Sequence, residues 1–328
     1  MRIGSAGLLA CTLLAAPTFA QINGTVINQS TGKPQAGATV GIYTMGNQNG
    51  LELVDQAKSD AQGKFTVSKD LPGMLLIRTA FGGITYNHRL SPNDPRTNLS
   101  LDVFDVSKNP GGAKVDKHMI LFEPSGEQMA VTETFLLSNS GKSAWYDPDA
   151  GTIRIYSPAN ASKPSVQGTA PGGAPIGAAL VKTTSPDVFG VDFAVKPGDT
   201  RFDVSYTVPY KEGQTYAGKV PTKDENTYLI VPQGVELKAE NVNDLGTEPR
   251  TQAHIWGLTG NAYKIALTGS VAPAQPDTSS DSSDSGPKIE AVMPRLYKTA
   301  PFILVSALGV LALGFALLYR ASPERGPK

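Results

Sequence analysis

A few carboxylates, and an aromatic pair beside two of them, are the residues whose types and spacing could do chemistry. The stretch WYDPDAG places Trp145 and Tyr146 directly before Asp147, with Asp149 two residues further on. Two carboxylates and a following glycine match part of the pattern of a calcium-binding loop, but no bidentate glutamate follows at the required spacing. A proline-stiffened turn is the competing interpretation. The two rings could stack on a sugar or a partner protein, or pack inward.

Glu133 is the third candidate, because a carboxylate is unexpected where it stands. In QMAVTETFLLSN, counting by twos puts Glu133 in one row with Met129, Val131, Phe135 and Leu137. A carboxylate buried in an apolar row needs a partner, and such groups are often functional. A β-bulge that turns the side chain outward is the alternative.

Known catalytic and metal-binding motifs are missing from the sequence. None of the three histidines, His88, His118 and His254, begins an H-x-x-E pair, and H-E-x-x-H does not occur. There is no G-x-S-x-G, and the Gly-Lys-Ser of SNSGKSAW lacks the earlier glycine of a phosphate-binding loop. We therefore predict no metal, no cofactor and no catalytic residue.

Composition narrows the class of protein. With Gly 34 and Pro 25 among 328 residues, turn-forming residues exceed their usual share, which favours an all-β chain. The formal net charge is +0, and no basic run carries interleaved aromatic residues. We therefore expect no nucleic-acid partner.

The first twenty residues read as an export signal. Arg2 precedes the apolar run GLLACTLLAA, and Thr18 and Ala20 then place small residues at the two positions that signal peptidase recognises before Gln21. Cys11, the only cysteine, lies inside this segment, so the mature chain would hold no disulfide. A lipid-modified Cys11 is the alternative, although Leu9 fits the required motif poorly.

The last part of the chain predicts a membrane anchor. Residues 301–319 contain no charge and are long enough to cross a hydrocarbon core about 30 Å thick. We predict a transmembrane helix over 297–320, a cytoplasmic tail over 321–328 and a disordered Ser/Asp/Pro tether over 271–296. The lipid bilayer would thus be a partner through 301–319. The folded bulk would lie outside a single-pass inner membrane, in the periplasm.

Residues 21–108 predict a first β module, with short alternating runs separated by turn residues. The predicted strands cover residues 22–28, 38–45, 51–59, 64–67, 75–82, 84–90 and 98–106. Spaced elements in this module resemble the carboxypeptidase regulatory-like domain: Gly24, Val26, residues 32–34, Gly37, Ala38, Val40, Asp60, Gly63 and Phe65. The resemblance implies a seven-stranded, prealbumin-like (transthyretin-like) sandwich of the carbohydrate-binding-like group.

Three of these residues have structural roles that follow from their types. In SDAQGKFTV, Asp60 can cap its own turn and Gly63 can adopt a positive φ, while Phe65 points into the core. We therefore interpret the stretch as a hairpin.

After a predicted linker over 109–116, residues 117–270 predict a second, larger antiparallel sandwich, for which we consider an immunoglobulin-like arrangement. The apolar residues alternate here too, as in FGVDFAV and TRFDVSYTVPY. Residues 163–180 predict a long irregular loop, which is either functional or disordered.

These features together predict a membrane-anchored, non-catalytic binding or scaffold protein of a bacterial-type cell envelope. Its first module would bind carbohydrate, such as an envelope glycan. The first alternative is an accessory subunit that binds a protein partner in envelope assembly. The second is a hydrolase that uses carboxylates of the second module, for which two or more of Glu133, Asp147 and Asp149 would have to converge in one cleft.

Overall fold

All regular secondary structure is β in the computed structural model, which describes residues 21–45, 50–69, 71–222 and 226–270. The expectation of an all-β fold with several sheets is confirmed. The predicted signal segment, tether, transmembrane helix and tail lie outside the described residues. No helix among the described residues has the length and apolar character that a membrane span needs.

The first module has two sheets. Its strands are β1 (Ile22–Asn28), β2 (Lys33–Pro34), β3 (Thr39–Met45), β4 (Leu51–Lys58), β5 (Lys64–Val67), β6 (Leu75–Phe81), β7 (Ile84–Leu90) and β8 (Leu99–Val103). In one sheet, β1 pairs with β2, β5 and β8; in the other, the order is β4-β3-β6-β7. Each of the seven predicted strands matches one of these, and β2 is an additional short strand.

The core of this module forms because alternate residues of each strand point inward. Phe65 and Val67 of β5 are each 2% exposed, whereas Lys64 and Thr66 between them are exposed. The same alternation buries Leu75 and other residues of β6. The resulting cluster holds, among others, Ile22, Val26, Val40, Ile42, Ile77, Leu101 and Val103.

Residues 59–67 do not form the predicted hairpin, because β4 and β5 lie in different sheets and β5 pairs with β1. They form a tight turn between the two sheets, which is held by its own polar atoms. Asp60 Oδ1 accepts hydrogen bonds from the backbone N–H groups of Gln62 (2.9 Å) and Lys64 (2.8 Å). Gly63 has φ +72°, which closes the turn and lets Phe65 enter the core.

The second module contains the remaining strands. They are β9 (Val106–Ser107), β10 (Ala113–Ser125), β11 (Gln128–Asn139), β12 (Ala144–Trp145), β13 (Arg154–Tyr156), β14 (Ser165–Thr169), β15 (Ile176–Gly177), β16 (Ala179–Lys182), β17 (Val188–Asp192), β18 (Gly198–Pro209), β19 (Thr215–Lys219), β20 (Thr227–Val231), β21 (Glu236–Ala239), β22 (Val242–Thr247), β23 (His254–Leu258) and β24 (Ala262–Thr268). The two-residue strands β9 and β12 pair with each other, at the junction of the modules.

One large sheet dominates this module. Its order is β15-β14-β18-β11-β10-β20-β23-β22, and two three-stranded sheets, β13-β17-β16 and β19-β24-β21, complete the module. A single apolar cluster extends from Ala113 to Leu267. Because immunoglobulin sandwiches divide seven to nine strands between two sheets, a sheet of eight strands departs from the arrangement considered above.

The expectation of purely antiparallel sheets also needs correction. Strands β1 and β8 are parallel, as are β10 and β20, and β9 and β12. Each parallel pair joins strands far apart along the chain, as the long connection between parallel neighbours requires. Turn residues in the sequence indicate where consecutive strands can pair. They contain no information about pairs of strands that are far apart along the chain.

The predicted linker is only partly irregular, because residues 113–116 belong to β10. Beyond it, residues 144–146 contact both modules. Ala144 is completely buried in the first core, and Tyr146 packs against that core, whereas Trp145 packs against the second. All described residues fall in one compact unit. The two modules therefore have separate cores but a shared, ordered junction.

Residues 163–180 do not form the long irregular loop that the sequence predicts. They contain β14 and β15, which pair at the edge of the large sheet. Gly168 lies under the ring of Phe193, and a Cβ at this position would meet that ring at 2.6 Å. The segment is thus a hairpin whose turn, residues 170–173, projects from an ordered edge.

We predict that Gly63→Ala destabilises the protein more than Gly32→Ala. The two glycines have nearly equal φ angles, +72° and +70°, so both changes carry the cost of a left-handed alanine, about 1–2 kcal/mol. At Gly63 a Cβ would also lie 2.7 Å from Val26 O, whereas nothing lies within 4 Å at Gly32. This crowding adds about 1–3 kcal/mol. Urea denaturation measures both changes, and equal losses would contradict the prediction.

Candidate functional site

The predicted aromatic pair lies at the junction of the modules. Trp145 Nε1 donates a hydrogen bond to the backbone oxygen of Lys108 (3.1 Å), and the Trp145 backbone pairs with Val195. Tyr146 packs against the first core, and burial, followed by its hydrogen bond to Asp192, raises its pKa. Both rings are half-buried. Their observed contacts are therefore structural ones that hold the junction.

The two aspartates of the same stretch stabilise its turn. Asp147 Oδ1 accepts hydrogen bonds from the backbone N–H groups of Asp149 and Ala150, both at 3.1 Å. Asp149 Oδ2 lies 2.6 Å from Lys108 Nζ, which is also 3.8 Å from Asp147 Oδ1. Neighbouring carboxylates raise the pKa of this lysine. No group of three or more metal-ligating side chains occurs among the described residues.

Glu133 is buried as the alternation predicts, with 3% of its surface exposed. The β11–β18 register runs without a shift from Gln128 to Asn139, so the alternative of a bulge at Glu133 is wrong. Glu133 Oε2 lies 2.9 Å from His118 Nε2, and the Tyr206 hydroxyl donates to Glu133 Oε1 at 3.0 Å. The carboxylate is therefore satisfied on both oxygens.

His118 extends this buried network on the neighbouring strand β10. Its ring stacks on Phe135 with centroids 3.9 Å apart, and Thr227 Oγ1 lies 3.5 Å from His118 Nδ1. The three acidic candidates do not share these partners: Glu133 bonds to His118 and Tyr206, while the two aspartates bond to Lys108 and their own turn. The contacts of the described residues therefore give no cleft in which the three carboxylates act together.

A cavity of about 240 Å³ opens between the modules; we call it the junction cleft. The first module contributes residues of β6, β7 and β8, and the second contributes residues 170–173 and 196–197. Its polar lining comprises Thr79, Tyr86, Asn87, His88, Ser100, Asp102 and Lys196. The hairpin over 163–180 thus contributes its turn to a cavity, a role that the sequence left open.

Lys196 is the most unusual group in the junction cleft. Its Nζ donates to the backbone oxygen of Thr85 at 2.6 Å and lies 4.6 Å from the ring centroid of Tyr86. No carboxylate is paired with it among the described residues' ion pairs. Burial therefore lowers its pKa to about 8, from an ordinary value of 10.5.

Other cleft residues are oriented by the first module. The Tyr86 hydroxyl donates to Phe104 O and accepts from Phe104 N–H, both at 3.3 Å, and burial raises the Tyr86 pKa to about 12. Asp102 Oδ1 accepts from Gln29 Nε2 at 2.8 Å, while the Asp102 side chain remains exposed. With Asn87 nearby, the cleft offers donors, acceptors and an aromatic surface, which suits a polar organic ligand.

Sequence reasoning missed His118 and the whole junction cleft. His118 could have been found by the count that identified Glu133, because His118, Ile120 and Phe122 form an apolar row in β10. No comparable signal exists for the cleft, whose residues come from separate strands and loops of two modules.

Comparisons with known proteins give little further information. No protein-family model matches the chain, and no curated protein matches it. Similar solved structures include the M1 zinc metallopeptidase from Deinococcus radiodurans, at 11% identity and a TM-score of 0.27 over 53% of this chain and 50% of that one. A variant of it has 12% identity and a TM-score of 0.28, over 47% and 42%. This chain thus spans about half the length of these peptidases, and a likeness this weak supports no functional conclusion.

We predict that Glu133→Gln and Tyr206→Phe are energetically coupled. Each change disturbs a buried hydrogen bond and should cost about 1–3 kcal/mol in unfolding free energy. Because both act on the same contact, which Glu133→Gln weakens and Tyr206→Phe removes, the double variant should differ from the sum by about 0.5–3 kcal/mol. Denaturant unfolding of the four proteins gives the coupling. Glu133→Gln combined with Tyr43→Phe, in the other module, is the additive control, and additivity in the first cycle would refute the network.

We also predict that Lys196 makes the stability depend on alkaline pH. Because its pKa is about 8 in the folded protein and 10.5 ordinarily, the unfolded chain binds more protons between these values. Folding is therefore favoured progressively as pH rises from about 8 to 10.5, and the contribution of Lys196 stops changing with pH well below pH 8, where the lysine is charged in both states. The unfolding free energy of the wild type minus that of Lys196→Met should rise across this window. A constant difference would contradict the assigned pKa.

Proposed function

We propose that this chain is a membrane-anchored, non-catalytic binding protein of a bacterial-type cell envelope, and that it binds carbohydrate in the junction cleft. The observation that carries the proposal is the lining of that cleft by first-module strands. Hydroxyl-rich ligands are recognised by planar polar side chains together with an aromatic surface. Asn87, His88, Asp102 and the ring of Tyr86 supply such groups around one cavity.

The wider architecture supports this role. Two four-stranded sheets enclosing one core are what a prealbumin-like sandwich requires, and we propose that fold for the first module. The export signal and the anchor over 297–320 would place the cleft on the outer side of an inner membrane. A ligand that belongs to the envelope, such as a glycan, would be available there.

Three observations favour binding over catalysis. Glu133 shares no recorded partner with the two aspartates, because it contacts His118 whereas Asp147 and Asp149 both contact Lys108 in an exposed turn. No group of three or more His, Cys, Asp or Glu side chains that could hold a metal ion occurs among the described residues. In the cleft, the hydrogen bonds recorded for the described residues join Asp102 to Gln29 and Lys196 to Thr85, and none joins Asp102 to His88 or Lys196. The hydrolase alternative therefore has less support than either of the two binding roles.

A protein partner is the second candidate, and the exposed end of the β3–β4 hairpin favours it. Met45, Leu51 and Leu53 are 63%, 41% and 46% exposed, and Met45 lies directly opposite Leu51. Since β4 is an edge strand, this apolar group is available to another protein. Leu53→Glu should abolish capture of such a partner from membrane extracts and leave glycan binding unchanged.

The carbohydrate proposal is tested by substitution within the cleft. We expect the purified full chain to bind an envelope polysaccharide, and Asp102→Ala to weaken that binding about tenfold, the loss typical of one hydrogen bond to a charged group. Affinity electrophoresis with a panel of envelope polysaccharides measures this. The matched control is Glu52→Ala, an exposed acid on β4 at the opposite edge of the sheet from β7. Absence of any glycan binding, or an unchanged Asp102→Ala protein, would overturn the proposal.

A further inference from the structure

The second module contains a cavity of its own, which we call the tyrosine pocket. It measures about 260 Å³ and is lined by four tyrosines, Tyr156, Tyr206, Tyr216 and Tyr263, together with apolar and amide side chains. None of the lining residues is Asp, Glu, Lys, Arg or His. The junction cleft has a different lining, so the two cavities are separate features of the molecule.

The tyrosines are held in place by specific packing. The Tyr263 ring lies directly over Gly218 on the paired strand, and any Cβ at Gly218 would collide with it. Tyr263 also meets Phe122 edge-to-face, with centroids 5.7 Å apart. The Tyr216 hydroxyl accepts the Lys211 backbone N–H at 2.7 Å. The rings therefore form a preformed wall.

The hydroxyl proton of Tyr206, one of the two most buried tyrosines, is used within the core. Tyr206 has one proton, which it donates to Glu133 Oε1 at 3.0 Å. Tyr206 therefore has no proton to donate to a molecule in the pocket, which favours a ligand that carries positive charge or donors of its own.

The charges around the tyrosine pocket also favour a cationic ligand. Burial, and then the negative charge of Glu133, raise the pKa of both Tyr206 and Tyr263. His118 is hydrogen-bonded to the far oxygen of Glu133. Lys219 Nζ lies 5.4 Å from the Tyr156 centroid and is paired with Asp187 at 2.8 Å. An electron-rich group of rings with a carboxylate behind it attracts cations.

We propose that the tyrosine pocket binds a small organic cation, namely a quaternary or methylated ammonium group. Such ions need little hydrogen bonding and gain most from contact with several aromatic faces, which is how aromatic cages recognise them. The cavity is slightly smaller than the usual range for drug-sized ligands, about 300–1,000 Å³, which suits a compact head group. Nothing in the proposed carbohydrate binding requires this pocket.

The test compares choline with 3,3-dimethylbutan-1-ol, which has the same shape but carries a carbon in place of the charged nitrogen. Isothermal titration calorimetry would use the full chain in a maltoside detergent, which contains no choline group. We expect saturable choline binding and at least about tenfold weaker binding of the neutral analogue. Equal binding of both would show an apolar pocket and overturn the proposal. So would a lack of choline binding up to about 10 mM, well above a millimolar dissociation constant.

Variants locate the site. Tyr216→Leu removes one ring from a half-buried position and should weaken choline binding about tenfold, whereas Tyr216→Phe keeps the ring and should bind normally. Tyr228→Leu changes a half-buried tyrosine outside the pocket and is the matched control. Thermal unfolding confirms that each variant is folded. Unchanged binding by folded Tyr216→Leu would overturn the assignment. Asp102→Ala should not affect choline, so failure here and failure of the carbohydrate proposal are distinguishable.

Discussion

The structure depends on one short stretch whose side chains alternate between two cores. Ala144 and Tyr146 contact the first core, while Trp145, between them, contacts the second. Backbone hydrogen bonds fix the stretch on both sides, through the β9–β12 pair and through Trp145 with Val195. Because the period of a strand is two, one segment can serve both cores without an unsatisfied backbone group. This arrangement fixes the two modules relative to each other, and a cavity formed jointly by β7, β8 and residues 170–173 consequently has a defined shape.

The buried carboxylate is the second constraint, and it acts within the second module. An isolated charge in an apolar core would be strongly unfavourable, so Glu133 requires groups that satisfy both of its oxygens. His118 and Tyr206 do this from the two strands that flank β11. Tyr206 also lines the tyrosine pocket. A polar group that the core must satisfy is thereby connected to the surface of a cavity, and this connection sets the direction of the Tyr206 hydroxyl proton.

Local alternation made much of this fold predictable. It predicted the seven main strands of the first module, the buried row in β11 that contains Glu133, and the turn with Asp60 and Gly63, because each depends on neighbours in sequence. The parallel pairs, the eight-stranded sheet and the hairpin over 163–180 were not predictable in this way, since strand partners far apart leave no local pattern. The two cavities were missed for the same reason: Tyr86 and Lys196, or Tyr156 and Tyr263, are brought together only by the tertiary fold.

The two cavities differ in what already occupies their aromatic surfaces. In the junction cleft, Lys196 Nζ lies over one face of the Tyr86 ring, so the cation beside that ring belongs to the protein itself. In the tyrosine pocket, only Tyr156 among the four rings has a lysine in a cation–π contact within the described residues. The other three rings have no such internal cation, while the carboxylate of Glu133 lies behind Tyr206. Similar side chains therefore suit different ligands in the two places, because the charge beside the ring is a lysine in one and a glutamate in the other.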